Sequence, residues 1–459
     1  MTVKKYIAIG VASVIAVSAT VAIIVTRDTR PVLKVANWAE YIDGGDSDSE
    51  MIHEFEAWYK EQTGKEIRVE YCTASDNETL YTMMKMGDSF DIVCPSEYMI
   101  MKLAKEGYIQ KLPKSFFDTS IETNYYVKYV SPYIQETFSS NYIDEEKSAS
   151  WEEYAAGYMW GTTGFVYNPE LVDENDVKSW SVFTNRKYAH KITAKNNIRD
   201  TYFVGLAMYY EDELLALKTQ FESGSITLAE YQTQLSKIMN DTDENTMNAV
   251  KSVLMSITDN LYGFETDEGK NDTIAGKITV NYQWSGDAVY VMDYAEGADE
   301  ENPIENPISL NYAIPESVSN LWFDGWTLTK NCKDVEAATM FINFLSRPDN
   351  AVANMEYIGY TSCIAGPTNE SDPYYEYIYQ NYVEEYYSAD EDEEDVVDYD
   401  LSYFFGDEHI LTAPAEQTKR QLFAQYPTKE TLAHCVAMRP FEGTANTRAN
   451  MMWSDITFL

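Results

Sequence analysis

Basic residues are scarce in this chain. Against 75 aspartates and glutamates stand 34 lysines and arginines, a formal net charge of −41 over 459 residues. No basic footprint is available to displace the counterions of a nucleic acid. Nor does the folded body carry the charge that would dock it on anionic lipid. Such a field assists the encounter with a cation, although an acidic surface also simply keeps a protein dissolved. Cysteine is sparse too. Cys72, Cys94, Cys332, Cys363 and Cys435 are scattered, odd in number and without a CxxC pair, so they outline neither a zinc site nor a disulfide framework. The four histidines, His53, His190, His409 and His434, make no HExxH or other paired metal spacing. There is no GxSxG, no Walker loop, no GxGxxG after a strand and no internal repeat. These gaps argue against an enzyme and against a resident metal or cofactor.

Long hydrophobic runs are nearly absent as well, with one exception. Lys4 and Lys5 precede "YIAIGVASVIAVSATVAIIV", residues 6–25. A helix of that length spans about 30 Å, one bilayer core. Cleavage after Ala19 would fit a signal peptide, but the apolar run continues past it, and no nearby cysteine supplies a lipoprotein signal. The expectation is an uncleaved transmembrane anchor with residues 1–5 as a short cytoplasmic end. No second apolar span returns the chain, so everything after Arg30 is expected outside, on the periplasmic or extracellular face.

The remainder has an ordinary globular composition, 45% hydrophobic and 24% charged, with length enough for two or three domains' worth of core. Its order is regular at first. "VLKVANW" (32–38) reads as a strand. Residues 50–62 place Met51, Ile52, Phe55, Trp58 and Tyr59 at helical spacing, stopped by Gly64. "EIRVEY" alternates as a strand does. "NETLYTMMKMG" reads as a helix with Asn77 as its N-cap. "DIVCP" is a buried strand holding Cys94, and "SEYMIMKLAKEG" is a helix capped by Ser96. This β-α-β-α-β-α order marks a parallel sheet with crossover helices. "YMWGTTGFVYN" (158–168) looks like a segment crossing into a new lobe. A second α/β stretch follows, with a largely helical elaboration over 212–259. "LWFDGWTLTKNC" (321–332) returns to apolar strand, and a helix pair splits at Pro348. Residues 370–400 are tyrosine- and acid-rich, with "SADEDEEDVVDYD" expected as a solvated loop.

One pattern recurs, a strand ending in an aromatic with an acid close by. Trp38 has Glu40 and Tyr41 beside it, Trp284 has Asp287, and Trp322 has Asp324. Asn197 and Asp200 fall at a strand-to-helix corner, and Ser96 and Tyr98 sit just past another strand. Taken singly, Asp200 and Asp287 read equally as first-turn helix charges and Asp324 as a turn. Together they occupy the carboxyl ends of strands, where such sheets bind ligands. Aromatic walls with interspersed carboxylates suit a cation that has an apolar body.

The strings that carry this pattern resemble a family, the spermidine/putrescine-binding (PotD-type) proteins of bacterial ABC importers. They are "NWAEYI", "SDNETLYTMMKMG", "FDIVCPSEYMIMKLAKEGYIQKL", "YMWGTTGFVYN", "WSGDAVY", "WFDGWTL", "INFLSRPD" and "IGY", in the family's order over roughly residues 32–367. The resemblance implies an α/β, two-lobed periplasmic-binding-protein fold of type II, with two crossovers, behind the N-terminal anchor. Lobe 1 is then 32–163, lobe 2 is 164–320, and 321–367 returns to lobe 1. Residues 368–459 form an acidic, tyrosine-rich insertion and C-terminal helices packing on lobe 2. It implies a monomeric receptor that captures a polyamine and hands it to an ABC permease. Aromatic side chains would sandwich the methylenes and carboxylates would take the ammonium ends. By motif the ligand-binding set is Trp38, Glu40, Tyr41, Ser96, Tyr98, Asn197, Asp200, Trp284, Asp287, Trp322, Asp324 and Tyr360. Asn197 stands where the family's pattern often has an acid, Asp287 matches the putrescine-preferring pattern, and the family's late glutamine falls near Met438. These departures lean toward a short diamine, or dual binding with spermidine. The alternatives are a receptor of the same fold for another solute, such as a thiamine-like cation, and a membrane-anchored sensory ectodomain.

Overall fold

The chain's first described strand, β1 (Val32–Trp38), alternates into a buried core with Leu33, Val35 and Ala36 almost wholly enclosed. The computed structural model describes residues 28–45, 49–266, 268–297, 307–367, 369–406 and 408–457. The apolar segment 6–25, expected as an anchor, lies outside the described residues. Among the described residues no helix is long and apolar enough to cross a membrane.

β1 pairs in parallel with β2 (Arg68–Ala74) and with β3 (Ile92–Val93). The crossover helices are Glu50–Thr63, ended by left-handed Gly64, and Asn77–Met86. The cap of the second is Asp76, whose carboxylate accepts from Thr79 N at 2.6 Å. Asn77, expected as the cap, is instead the first helical residue and ties across to Ser96. A short strand, β4 (Ile109–Gln110), completes this half.

The second half repeats the logic. β6 (Ile192–Lys195) pairs in parallel with β7 (Leu261–Glu265) and β8 (Val280–Trp284). Two long strands join the halves, β5 (Ala155–Tyr167) and β10 (Ser319–Thr329), with the short β9 (Asn311–Ala313) alongside β5. β5 and β10 are antiparallel partners and buried at every residue, so both read as uninterrupted apolar and small-residue runs. The path β2-β1-β3-β10-β5-β8-β6-β7 therefore carries one parallel half on each side of a central antiparallel pair. This is a two-lobed α/β architecture with two crossing strands. A register shift falls between Asp324 and Gly325 opposite Met159 and Gly157, a bulge that re-aims side chains.

Two expectations change. Part of the acidic stretch expected as a solvated loop is ordered. Val396–Asp400 pairs with Ile410–Pro414 as a hairpin, with Tyr399 and Leu411 inward and acids outward. Strand period 2 hides its tyrosine and exposes its charge. The 369–459 region also divides. Ser402–Phe405 packs on the lobe-1 helix Pro132–Ser140, where Ser131 Oγ donates to Phe404 O at 2.7 Å. Its aromatics share one core with β1 and β3, whereas Met438 and the helix Gly443–Thr457 join the core of lobe 2.

Gly161 of β5 lies opposite Trp322 in register. A Cβ there would come 2.7 Å from Trp322 Cζ2 and run into Ser285 Oγ. Gly161→Ala is therefore expected to destabilise the protein by about 1–3 kcal/mol, read as a lower urea midpoint at unchanged slope. An unchanged midpoint would show that the Trp322 ring moves freely.

Candidate functional site

The carboxyl ends of the strands from both halves meet at the junction between the lobes. Asp324 lies there, 5% exposed. Three neutral donors hold it. Ser96 Oγ donates to Oδ1 at 2.6 Å, Tyr41 OH to Oδ2 at 2.8 Å and Trp38 Nε1 to Oδ2 at 3.2 Å. The donors come from two pieces of chain: Trp38 ends β1 and Tyr41 belongs to the loop after it, while Ser96 follows β3. Ser96 does sit at the N-cap position of Glu97–Lys105, but its hydroxyl makes no cap bond. It serves the carboxylate instead. Burial pushes the Asp324 carboxyl up to about 6, against the three hydrogen bonds that favour its charge.

Aromatic rings surround this point. Tyr360 meets Tyr41 edge-on at 5.3 Å and Trp322 at 5.3 Å. Trp322 is fixed by its Nε1, which donates to Thr162 O at 3.1 Å. Tyr360 lies directly on Gly286, where any Cβ would enter the ring. Glu40 is exposed at the rim with a left-handed φ of 53°. Burial above all, then Tyr294 and least of all the charge of Glu40, raises the hydroxyl of Tyr290 on the lobe-2 helix Ser285–Ala295.

Lobe 2 contributes the facing side. Asn197 caps the helix Ile198–Tyr209 by accepting from Asp200 N at 2.8 Å, and its amide donates to Asp200 Oδ2 at 2.5 Å. Its side chain is thus spent on placing Asp200. Burial raises the Asp200 carboxyl, against the Asn197 hydrogen bond and the nearby charges of Lys195 and Arg199. Trp284 ends β8 and is half-buried. Asp287, one turn on, lies 3.5 Å from Lys270 Nζ. Tyr98 packs against both cores, and its hydroxyl donates to Glu78 at 3.2 Å.

Several residues here had escaped notice in the sequence. Glu78 follows the Asp76 cap at the end of β2. Lys195 ends β6, Glu265 ends β7 and Gln283 precedes Trp284. Each is polar at the carboxyl end of a strand, a signal that a search for aromatic–acid pairs passes over. Glu97, fully buried, accepts from Phe323 N at 3.1 Å and Met438 N at 3.2 Å, and so ties lobe 1 to β10 and to the tail. Met438, at the family's glutamine position, turns its side chain into the lobe-2 core. Arg199 is engaged by Asn240 at 2.7 Å and by the Phe441 ring. Among the described residues no cluster of histidine, cysteine and carboxylates could hold a metal.

Such an arrangement can hold a cation and enclose its apolar body, and the fold around it is that of a two-lobed binding protein. A family model described as bacterial extracellular solute-binding protein matches residues 50–375. The chain belongs to that family. It is 27% identical over 336 residues to the spermidine/putrescine-binding periplasmic protein of Escherichia coli strain K12, covering 72% of this chain and 78% of that one. It is 26% identical over 325 residues to the putrescine-binding periplasmic protein SpuD of Pseudomonas aeruginosa, covering 69% and 74%. Its fold matches the crystal structure of the spermidine/putrescine ABC transporter substrate-binding protein PotD from Streptococcus pneumoniae, with a TM-score of 0.57 at 23% identity over 93% of this chain and 99% of that one.

Burial is the main cause that raises Glu78 to about 7, Glu97 to about 8 and Asp324 to about 6. All three exceed an unfolded carboxyl, so the folded state binds more protons between about pH 4 and 8. Their contribution to stability is complete below the unfolded values and is lost as pH rises through the folded ones. The ligand-free protein should therefore melt at a progressively lower temperature between about pH 5 and 9 by scanning calorimetry. A melting temperature that rises over that window would contradict the protonation states assigned here.

Proposed function

We propose that this protein is an outward-facing receptor that captures a polyamine, putrescine or spermidine, between its lobes and delivers it to an ABC permease. The observation that carries the reading is the Asp324 carboxylate, buried, bonded among the described residues by neutral side-chain donors and walled by Trp38, Tyr41, Trp322 and Tyr360. A desolvated anion without a cation of its own is costly, and an ammonium from the ligand offsets that cost. Asp200 on lobe 2 supplies a second anion for the other end. The names of the relatives agree with this chemistry. In this reading Asp324 anchors one amine, Ser96 and Tyr98 line lobe 1, and Trp284 and Trp322 are the walls. Asn197 places Asp200, while Glu40 and Asp287 add negative field. Lobe 1 is 32–163 and lobe 2 is 164–320, the chain acts as a monomer, and the segment 6–25 tethers it beside the permease.

Titration calorimetry of putrescine, cadaverine, spermidine and spermine, with thiamine, arginine and glutamate alongside, tests the reading. One polyamine should bind one-to-one, and Asp324→Ala should lose tenfold to a hundredfold, about 1.4–3 kcal/mol, as expected of a charged hydrogen bond. Because a bound ammonium lowers the Asp324 pKa, affinity should be level above about pH 6 and fall as pH drops below it. Heat that never saturates and vanishes with salt would mean that the net charge merely collects cations. Saturation by thiamine alone would transfer the site to another cation.

A further inference from the structure

β6 ends in a lysine that has no contact with solvent. Lys195 is 0% exposed. Its ammonium sits 4.0 Å from the centroid of the Trp284 ring, 3.3 Å from Glu265 Oε1 and 3.3 Å from Thr266 O, and it donates to Gln283 Oε1. An aromatic face, a carboxylate, an amide oxygen and a backbone carbonyl thus converge on one primary ammonium at the end of four methylenes. That acceptor set is the recognition chemistry of an alkylammonium. It lies at the carboxyl ends of β6, β7 and β8.

The lobe-2 carboxylates at this junction divide in two. Glu265 is paired with Lys195 and Asp287 with Lys270. Asp200 is bonded by the neutral amide of Asn197, with the charges of Lys195 and Arg199 acting on it at longer range, whereas Asp324 is bonded by Ser96, Tyr41 and Trp38. Among the described residues no cation of the chain is bonded to either carboxylate, although Lys195 and Arg199 lie near enough to Asp200 to favour its charge. A third external ammonium seeking the Trp284–Glu265 position would find it filled by a group that is covalently tethered, and the like charges would meet in a desolvated place.

We propose that Lys195 is a built-in ammonium filling a cation subsite of lobe 2, so that the protein selects a diamine over a triamine or tetramine. The inference rests on the polyamine reading but has a readout independent of it. A pure stability role for the pair is the competing account, since buried ion pairs are retained in many folds without touching a ligand.

The test uses the full-length chain in detergent, with Lys195→Ala, which vacates the subsite, and Lys195→Met, which fills it without charge. Each is titrated with putrescine, spermidine and spermine, and separately with n-propylammonium followed by tryptophan fluorescence and by the melting temperature. The unaltered protein should prefer putrescine to spermidine by tenfold or more. Lys195→Ala should raise spermidine affinity relative to putrescine by at least tenfold and take up n-propylammonium saturably, with a gain in melting temperature. Lys195→Met should do neither. If Lys195→Ala fails to fold alone, the propylammonium arm is run by refolding it in that amine, and Lys195→Ser replaces it in the polyamine arm. Polyamine binding by the alanine variant with an unchanged ratio and no uptake of propylammonium would overturn the proposal and leave Lys195 a structural ion pair. Uptake of propylammonium by a protein that binds no polyamine would keep the ammonium subsite and remove the polyamine reading. If neither amine binds, both fall.

Discussion

A carboxylate withdrawn from water must be supplied with donors, and much of lobe 1 is arranged around supplying them to Asp324. Its two oxygens draw Trp38 from the end of β1, Tyr41 from the loop after it and Ser96 from the start of the helix after β3. This requirement helps explain local choices that look odd in isolation. The chain takes a left-handed turn at Glu40 to bring Tyr41 back under β1. Ser96 leaves its own helix uncapped. The bulge at Asp324 and Gly325 breaks the register of two otherwise regular strands. Each departure carries a cost, and the satisfied carboxylate offsets it.

The same site couples the lobes. β5 and β10 carry the backbone across, buried throughout. Around them the side chains of Glu97 and Tyr98 span pieces that belong to different halves. Glu97 holds the amides of Phe323 and Met438. Tyr98 bonds Glu78 of lobe 1 while feeling the charge of Asp200 in lobe 2. Any movement of one lobe against the other must therefore rearrange hydrogen bonds to carboxylates whose proton affinity burial has already raised. Ligand capture, lobe geometry and protonation are consequences of one electrostatic arrangement.

Electrostatics also separates the global charge from the local one. A net charge of −41 sets the field in which cations arrive, but it does not select among them. In lobe 2 the chain's own lysines answer Glu265 and Asp287, a local pairing that the overall charge does not disclose.

How much of this was written in the chain? Periodicity located β1 residue for residue and the helix from Glu50, because amphipathic patterns report which face is buried. The expected strand-end aromatics hold for Trp38 and Trp284, which end β1 and β8, because parallel neighbours put their strand ends on one side. Trp322 and Asp324, expected at a strand end and a turn, instead lie inside the antiparallel crossing strand β10. Composition misread the acidic stretch, since a count of charges does not see that Tyr399 and Leu411 face inward. It was equally blind to Lys195, whose meaning depends on Glu265, Gln283 and Trp284 arriving from strands far apart in sequence. The order of elements and the candidate residues were thus determined by the sequence itself, through local propensity and alternation. Which carboxylates are buried and which are paired was decided only by tertiary structure. Burial and Coulombic pairing are set by distances between segments that no local pattern encodes.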